Sequence, residues 1–159
     1  MNKLSGEINV YTDTALVIIA SLGQKEAKIL HFMLKERNEY NIVNSSMISI
    51  SRKNKLSGNR QYFSKVIKKM IGLNIIQKIE NKIWVNPYLF QPYYIEEDCT
   101  QYKTQQLWTY LFEDKDIYFE GRDQLLYDLF GIDVQNNKTI TVGSGNSKKI
   151  IDLKTKCIN

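Results

Sequence analysis

The chain has 159 residues, of which 43% are hydrophobic and 25% charged, with a net charge of +5, two cysteines and one histidine. This length can bury a core without disulfides or a structural metal, and a single histidine excludes multi-histidine metal sites and most histidine-based catalysis. The longest apolar run, residues 15–20, is far shorter than the roughly 20 residues that cross a bilayer. No secretory signal pattern is present, so we expect a cytoplasmic protein that does not bind membranes.

In the first ninety residues, hydrophobic spacing and turn residues predict three helices, a small helix and a hairpin. Gly23 separates the first two helices, Ser45 or Ser46 caps the small one, and Gly72 ends the third. The predicted elements are helices over 12–22, 24–37, about 45–53 and 59–71, a minor strand at 42–43, and a β-hairpin over 73–85 that turns at 80–81 and is closed by Pro87.

The predicted helix over 59–71, which is the third when the small helix is not counted, has two distinct halves when its residues are placed 100° apart around the helix axis. The apolar half, which we expect in the core, contains Tyr62, Phe63, Val66, Ile67, Met70 and Ile71. The polar half contains Gln61, Ser64, Lys65, Lys68 and Lys69, with Arg60 at the border.

The second half of the chain is acidic and aromatic from Tyr93 onward, with helices predicted over 101–112 and 122–130. Their leucine and tryptophan stripes are expected to meet each other, the preceding unit or a second copy of the chain. Residues 136–149 are predicted to be flexible and to lead into a basic tail. We therefore expect a mainly helical α+β fold divided into a winged helix-turn-helix at 12–90, an acidic aromatic helical extension at 91–135 and a flexible basic tail at 136–159.

Charge is unevenly distributed along the chain. Residues 45–82 carry nine basic groups and one acid, a net +8, whereas residues 91–133 carry three basic groups and ten acids, a net −7. Residues 134–159 contribute a net +4. A block of basic residues beside an acidic segment indicates one surface that binds a polyanion and a second surface with another role.

Helices with a short interposed strand, followed by a hairpin, are typical of a winged helix-turn-helix, whose third helix enters the DNA major groove while the wing contacts the backbone. Gln61 and Ser64 are suited to base edges, and Lys65 and Lys68 to phosphates or guanine. The other interpretation is that these lysines only solubilise an amphipathic helix. The candidate DNA-binding residues are Arg52, Lys53, Lys55, Asn59, Arg60, Gln61, Ser64, Lys65, Lys68, Lys69, Lys78 and Lys82.

Three segments carry a family resemblance: Lys28-Ile29-Leu30, the run SKVIKKMIGLNII at 64–76, and the ending VNPYLF at 85–90. With them, residues 28–90 resemble the RepL-like plasmid replication proteins. The resemblance implies a winged-helix initiator that binds plasmid origin DNA. It does not extend into the acidic region after residue 93.

The leading function is therefore sequence-specific binding of double-stranded DNA in plasmid replication, with a homodimer or a host replication protein as further candidate partners. The alternatives are a winged-helix transcriptional regulator and a protein-interaction module without DNA binding. No enzyme, cofactor or metal site is expected, because contiguous acids at 96–98 and 113–116 do not converge on one ion without a scaffold. The stretch at 143–148 lacks the spacing of a phosphate loop, and a nicking tyrosine would need metal ligands that the chain does not offer.

Overall fold

The computed structural model describes residues 13–44, 49, 52, 60–92, 100–143 and 148–153. Within them the chain forms an α+β fold in which helices pack on an antiparallel sheet. Ser49 and Arg52 are also helical, and the rest of the small helix predicted around them lies outside the described residues. The elements are α1 (Asp13–Ala20), α2 (Gln24–Glu36), β1 (Ile42–Val43), α3 (Arg60–Gly72), β2 (Ile76–Ile79), β3 (Lys82–Val85), α4 (Thr100–Phe112), α5 (Arg122–Phe130), β4 (Thr139–Val142) and β5 (Lys149–Asp152).

The helices predicted from periodicity are confirmed, because α2 to α5 begin and end within one residue of the predicted positions. The hairpin of β2 and β3 is also confirmed, with Glu80 in the left-handed region at φ 53°. The N–H of Gly23 donates to the Glu26 carboxylate over 3.2 Å and closes the first turn of α2.

The end of α3 is capped by the residues that follow Gly72. Gly72 is the last helical residue, but the left-handed residue is Asn74, at φ 58°. The Asn74 N–H donates to the Ile71 carbonyl over 3.0 Å, and the Ile75 N–H donates to the Met70 carbonyl over 2.9 Å. This pair of bonds is a Schellman motif, which asparagine tolerates because its short polar side chain fits the left-handed conformation. The helix therefore ends at Gly72, as predicted, and Asn74 supplies the left-handed residue of its C-terminal cap.

All five strands belong to one antiparallel sheet, in the order β1-β3-β2-β4-β5. Ile42 pairs with Trp84, Ile79 pairs with Lys82 across the hairpin turn, and Ile79 also pairs with Val142 of β4. The prediction of a flexible basic tail is thus wrong for residues 139–142 and 149–152. These residues form β4 and β5, and they extend the same sheet beyond β2.

Successive residues of β3 face opposite sides of the sheet, and both sides are buried. Ile83 and Val85 pack with α2 and α3, in a core layer whose helical residues include Ile29, Met33, Phe63, Val66, Ile67 and Met70. Trp84 packs on the other side with α4, α5, β4 and β5. The sheet is therefore the middle of three layers.

Four aromatic rings join the sheet to the second half of the chain. The Trp84 ring meets the Trp108 ring edge-on at 5.1 Å between centroids, and it lies 5.2 Å from Phe130. Phe112 lies 4.8 Å from Trp108. The stripes of α4 and α5 therefore meet each other and the sheet of their own chain. The same contacts bury Leu107, Trp108, Leu111, Leu126 and Leu129.

Candidate nucleic-acid interface

Helix α3 presents one buried and one exposed side. Phe63, Val66, Ile67 and Met70 are buried, as predicted. The opposite side carries a polar stripe at helical spacing, which we call the α3 stripe and define as Gln61, Ser64, Lys65 and Lys68, all exposed. No aspartate or glutamate occurs between residues 60 and 79. The stripe therefore combines two cations with two hydrogen-bonding side chains, and its own helix supplies no acid to neutralise it.

The dimensions of α3 suit a DNA groove. Its 13 residues give a length of about 20 Å, and the stripe from Gln61 to Lys68 covers about 10 Å of it. A B-DNA major groove about 12 Å wide admits one helix, and 10 Å corresponds to about three base-pair steps. The stripe is thus long enough to contact a short run of base pairs.

Two further cations near α3 interact with neighbouring residues. The Lys69 ammonium lies 3.0 Å from the Glu26 carboxylate of α2, so its charge is compensated by a helix–helix ion pair. Lys25 of α2 places its ammonium 5.9 Å from the centre of the Tyr62 ring, beside the first turn of α3. The ion pair therefore distinguishes Lys69 from the lysines of the α3 stripe. The structure also places Lys25, which was not among the predicted site residues, beside α3.

The two hairpin lysines lie on different sides of the sheet. Lys82 alternates with Ile83 and shares the side of Trp84, where its ammonium donates to the Leu129 carbonyl at the end of α5. A cation is stabilised there by the negative end of the helix dipole. Lys78 is half-buried and alternates onto the side of Ile76, which packs with α3. The structure therefore brings Lys78, and not Lys82, to the side of the α3 stripe.

The remaining predicted site residues precede α3 or begin it. Arg52 is exposed, whereas Lys53, Lys55 and Asn59 lie outside the described residues. Arg60 is the first residue of α3, and only its backbone is described.

A groove of about 660 Å³ lies beside the end of α3. Of the described residues, Lys68, Lys115, Lys149 and the acid Glu113 line it, and its apolar lining includes Ile71, Phe112 and Ile151. Lys149 was not among the predicted site residues because the residues of β5 were assigned to a tail, and Lys115 was not because it lies in the acidic half and reaches the groove only through folding. The alternation Thr-Ile-Thr-Val before the sequence Gly-Ser-Gly-Asn, whose residue types favour turns, was the available signal.

Helices α4 and α5 pack against the Trp84 side of the sheet, opposite to α3, although Glu113 and Lys115 after α4 reach the groove beside α3. A second depression, of about 440 Å³, is lined there by Asp123, Tyr127 and Asp133. In the described part of the chain, histidine, cysteine, aspartate and glutamate do not group as a metal site would need. None of the described helices combines the length and apolarity needed to cross a membrane.

Comparisons with protein-family models, with curated proteins and with solved structures give no match for this chain.

Proposed function

We propose that this chain is a cytoplasmic DNA-binding protein of the winged-helix type, which places α3 in the major groove and acts in the initiation of plasmid replication. The observation that carries the proposal is the α3 stripe: four exposed polar or cationic side chains on a helix whose opposite side is fixed in the core. A helix held in this way presents its base-reading and phosphate-binding groups on an already ordered backbone, so that only the side chains lose freedom on binding.

The order of elements supports the same proposal. Strand β1 pairs with β3, and the hairpin of β2 and β3 directly follows α3. This is the arrangement in which a winged helix presents its third helix. The resemblance of residues 28–90 to RepL-like initiators is the reason for proposing replication as the process.

The distribution of charge supports binding of the duplex on the α3 side of the sheet. The α3 stripe lies on the side of the sheet opposite to α5, where Asp128 is exposed. A duplex bound at the stripe therefore lies away from the exposed acid of α5. Each phosphate contact by a lysine releases counterions, so the affinity falls as salt rises.

The proposal is tested by selecting bound fragments from a pool of random duplexes and from plasmid and genomic DNA, followed by titration at several salt concentrations. We expect a specific site, and a plot of log affinity against log salt whose slope reports the phosphate contacts. Selected fragments clustered at an origin support replication, and fragments at promoters would replace it with transcriptional regulation. No enrichment of any duplex would refute DNA binding.

Two matched variants assign the binding to the α3 stripe. Lys65→Ala with Lys68→Ala should lower the salt slope by about 1.8 and weaken all sequences alike, since each contact contributes about 0.9. Gln61→Ala should instead relax the preference at one base position, at a cost of about 1–3 kcal/mol. Lys138→Ala is the control, because Lys138 is exposed at the start of β4. A double lysine variant that binds like the parent at every salt concentration would contradict the assignment to α3.

A further inference from the structure

The hairpin of β2 and β3 is enclosed by the rest of the fold. Trp84 is buried on one side of it, Ile83 and Val85 are buried on the other, and β4 pairs along its β2 edge. The Lys82 ammonium is bonded to the Leu129 carbonyl. Apart from the half-buried Lys78, this hairpin therefore has little cationic surface with which to contact a DNA backbone beside α3.

The hairpin of β4 and β5 has the opposite character. It continues the sheet past β2, and only one of its faces is buried, through Ile140, Val142 and Ile151. The other face is exposed at Thr139, Thr141, Ile150 and Asp152, whereas Lys149 lies opposite Val142 on the buried face and is itself exposed at the start of β5, where it lines the groove. This second hairpin is thus an uncovered extension of the sheet.

The groove between α3 and the second hairpin collects cations from three separate elements. Lys68 comes from α3, Lys115 from the turn after α4, and Lys149 from β5, and among the described lining residues Glu113 is the one acid. Lysines that share one groove repel each other, and an anion bound between them removes that repulsion. The apolar floor, with Ile71 and Phe112, suits deoxyribose rings placed between phosphates.

The groove adjoins the α3 stripe, and this position identifies the anion that it would bind. Lys68 belongs both to the stripe and to the wall of the groove. A duplex that lies along the stripe therefore brings its own sugar–phosphate backbone to the mouth of the groove, without a second ligand.

We propose that this groove receives the sugar–phosphate backbone of the bound duplex, and that the β4–β5 hairpin, through Lys149 and with Lys115, is the backbone-contacting wing of this protein. The inference rests on the proposed function and deepens it. It assigns the role of wing to a hairpin that follows the acidic helices in the chain, rather than to the one that directly follows α3.

The test uses the full chain, a duplex recovered by the selection above, and fluorescence anisotropy over a series of salt concentrations. Lys149→Ala should lower the salt slope by about 0.9, and Lys149→Ala combined with Lys115→Ala by about 1.8. The base preference of the selected site should not change, because these contacts read no base edges. All three side chains changed here, including the control below, are exposed, and circular dichroism checks that each variant keeps the parent fold.

Lys138→Ala is the matched control. It removes the same charge from the same hairpin, but at the far end from the groove, where the Lys138 carbonyl accepts the Leu153 N–H. We expect the parent slope for this variant. Hydroxyl-radical footprinting of the duplex supplies a positional readout: protection beside the α3 contact should disappear with Lys149→Ala and remain with Lys138→Ala.

The outcomes separate the two proposals. If the Lys65→Ala, Lys68→Ala variant lowers the salt slope while the Lys115→Ala, Lys149→Ala variant keeps the parent slope, the groove does not hold the DNA backbone and the proposed function stands. An equal effect of Lys138→Ala would show that net charge, and not the groove, sets the slope, and it would overturn the inference. A parent protein that binds no duplex would refute both.

Discussion

Trp84 is the side chain on which the three-layer fold depends most directly. It has no accessible surface, it contacts Trp108 and Phe130, and its indole N–H donates to the Tyr40 carbonyl over 2.9 Å. Trp84→Ala removes the ring from the centre of the second core layer. We expect it to destabilise the protein by about 3–5 kcal/mol, the usual cost of truncating a buried tryptophan.

This cost is large beside the total stability of a domain of this size, which is about 5–15 kcal/mol. At roughly 2–4 °C per kcal/mol, the melting temperature should fall by about 6–20 °C. Trp84→Phe should cost less, because it keeps an aromatic ring beside Trp108 and loses mainly the hydrogen bond to Tyr40, whose breakage costs about 1–3 kcal/mol.

The assay is thermal and urea unfolding followed by two probes. Circular dichroism reports the helices of both outer layers, and in Trp84→Ala or Trp84→Phe the fluorescence comes from Trp108 alone, since the chain has two tryptophans. The transitions of both probes should shift together, because the sheet couples the layers. Tyr127→Ala, at an exposed aromatic of α5, should change stability by less than about 0.5 kcal/mol. An unchanged melt for Trp84→Ala, or a shift seen only by Trp108, would refute the three-layer account.

Four further perturbations follow from the same structure. Phe63→Ala or Ile67→Ala should destabilise by about 2–5 kcal/mol in thermal melts, and unchanged melts for both would mean that α3 buries a different side. Asn74→Gly should be tolerated whereas Asn74→Val should cost about 1–2 kcal/mol in urea unfolding, because only the β-branched residue opposes φ 58°; equal stability would contradict the cap. A truncation after Gln91 should aggregate or unfold by light scattering and circular dichroism, since it uncovers the Trp84 side of the sheet, and a folded monomer would show an independent first domain. Lys69→Ala should cost at most about 1 kcal/mol and keep the parent salt slope, and a lower slope would place Lys69 on the DNA.

Much of the fold could be predicted from the sequence because the patterns concerned are local. The helical spacing of Phe63, Ile67 and Met70 places them on one side of α3 wherever that helix is packed, and so it also determines which polar side chains remain for solvent. The turn at Glu80-Asn81 lies between two short apolar runs, which is enough to predict a hairpin. For the same reason the α3 stripe could be recognised before any tertiary contact was known.

The second hairpin could not be assigned in the same way, because its pairing is not local. Strand β4 joins the sheet through Val142 opposite Ile79, which is distant in the chain, and its four residues lie in a polar neighbourhood. A short alternating strand is stabilised by its partner and by burial of one face, and neither is visible from the strand itself. Lys149 was missed for this reason, and Lys115, in the turn after α4, was missed because only folding brings that turn to the groove.

Tertiary structure also decided which of the predicted cations belong together. By composition, Lys65, Lys69 and Lys82 are equivalent members of one basic block. Packing of α2 against α3 gives Lys69 a carboxylate partner, and burial of Trp84 carries Lys82 to the end of α5. Only Lys65 stays on the exposed stripe. The sequence by itself therefore determined the amount and sign of the charge, whereas the direction of each side chain depended on which elements pack against one another, because an ion pair or a helix-terminus contact requires a partner that is brought close only by folding.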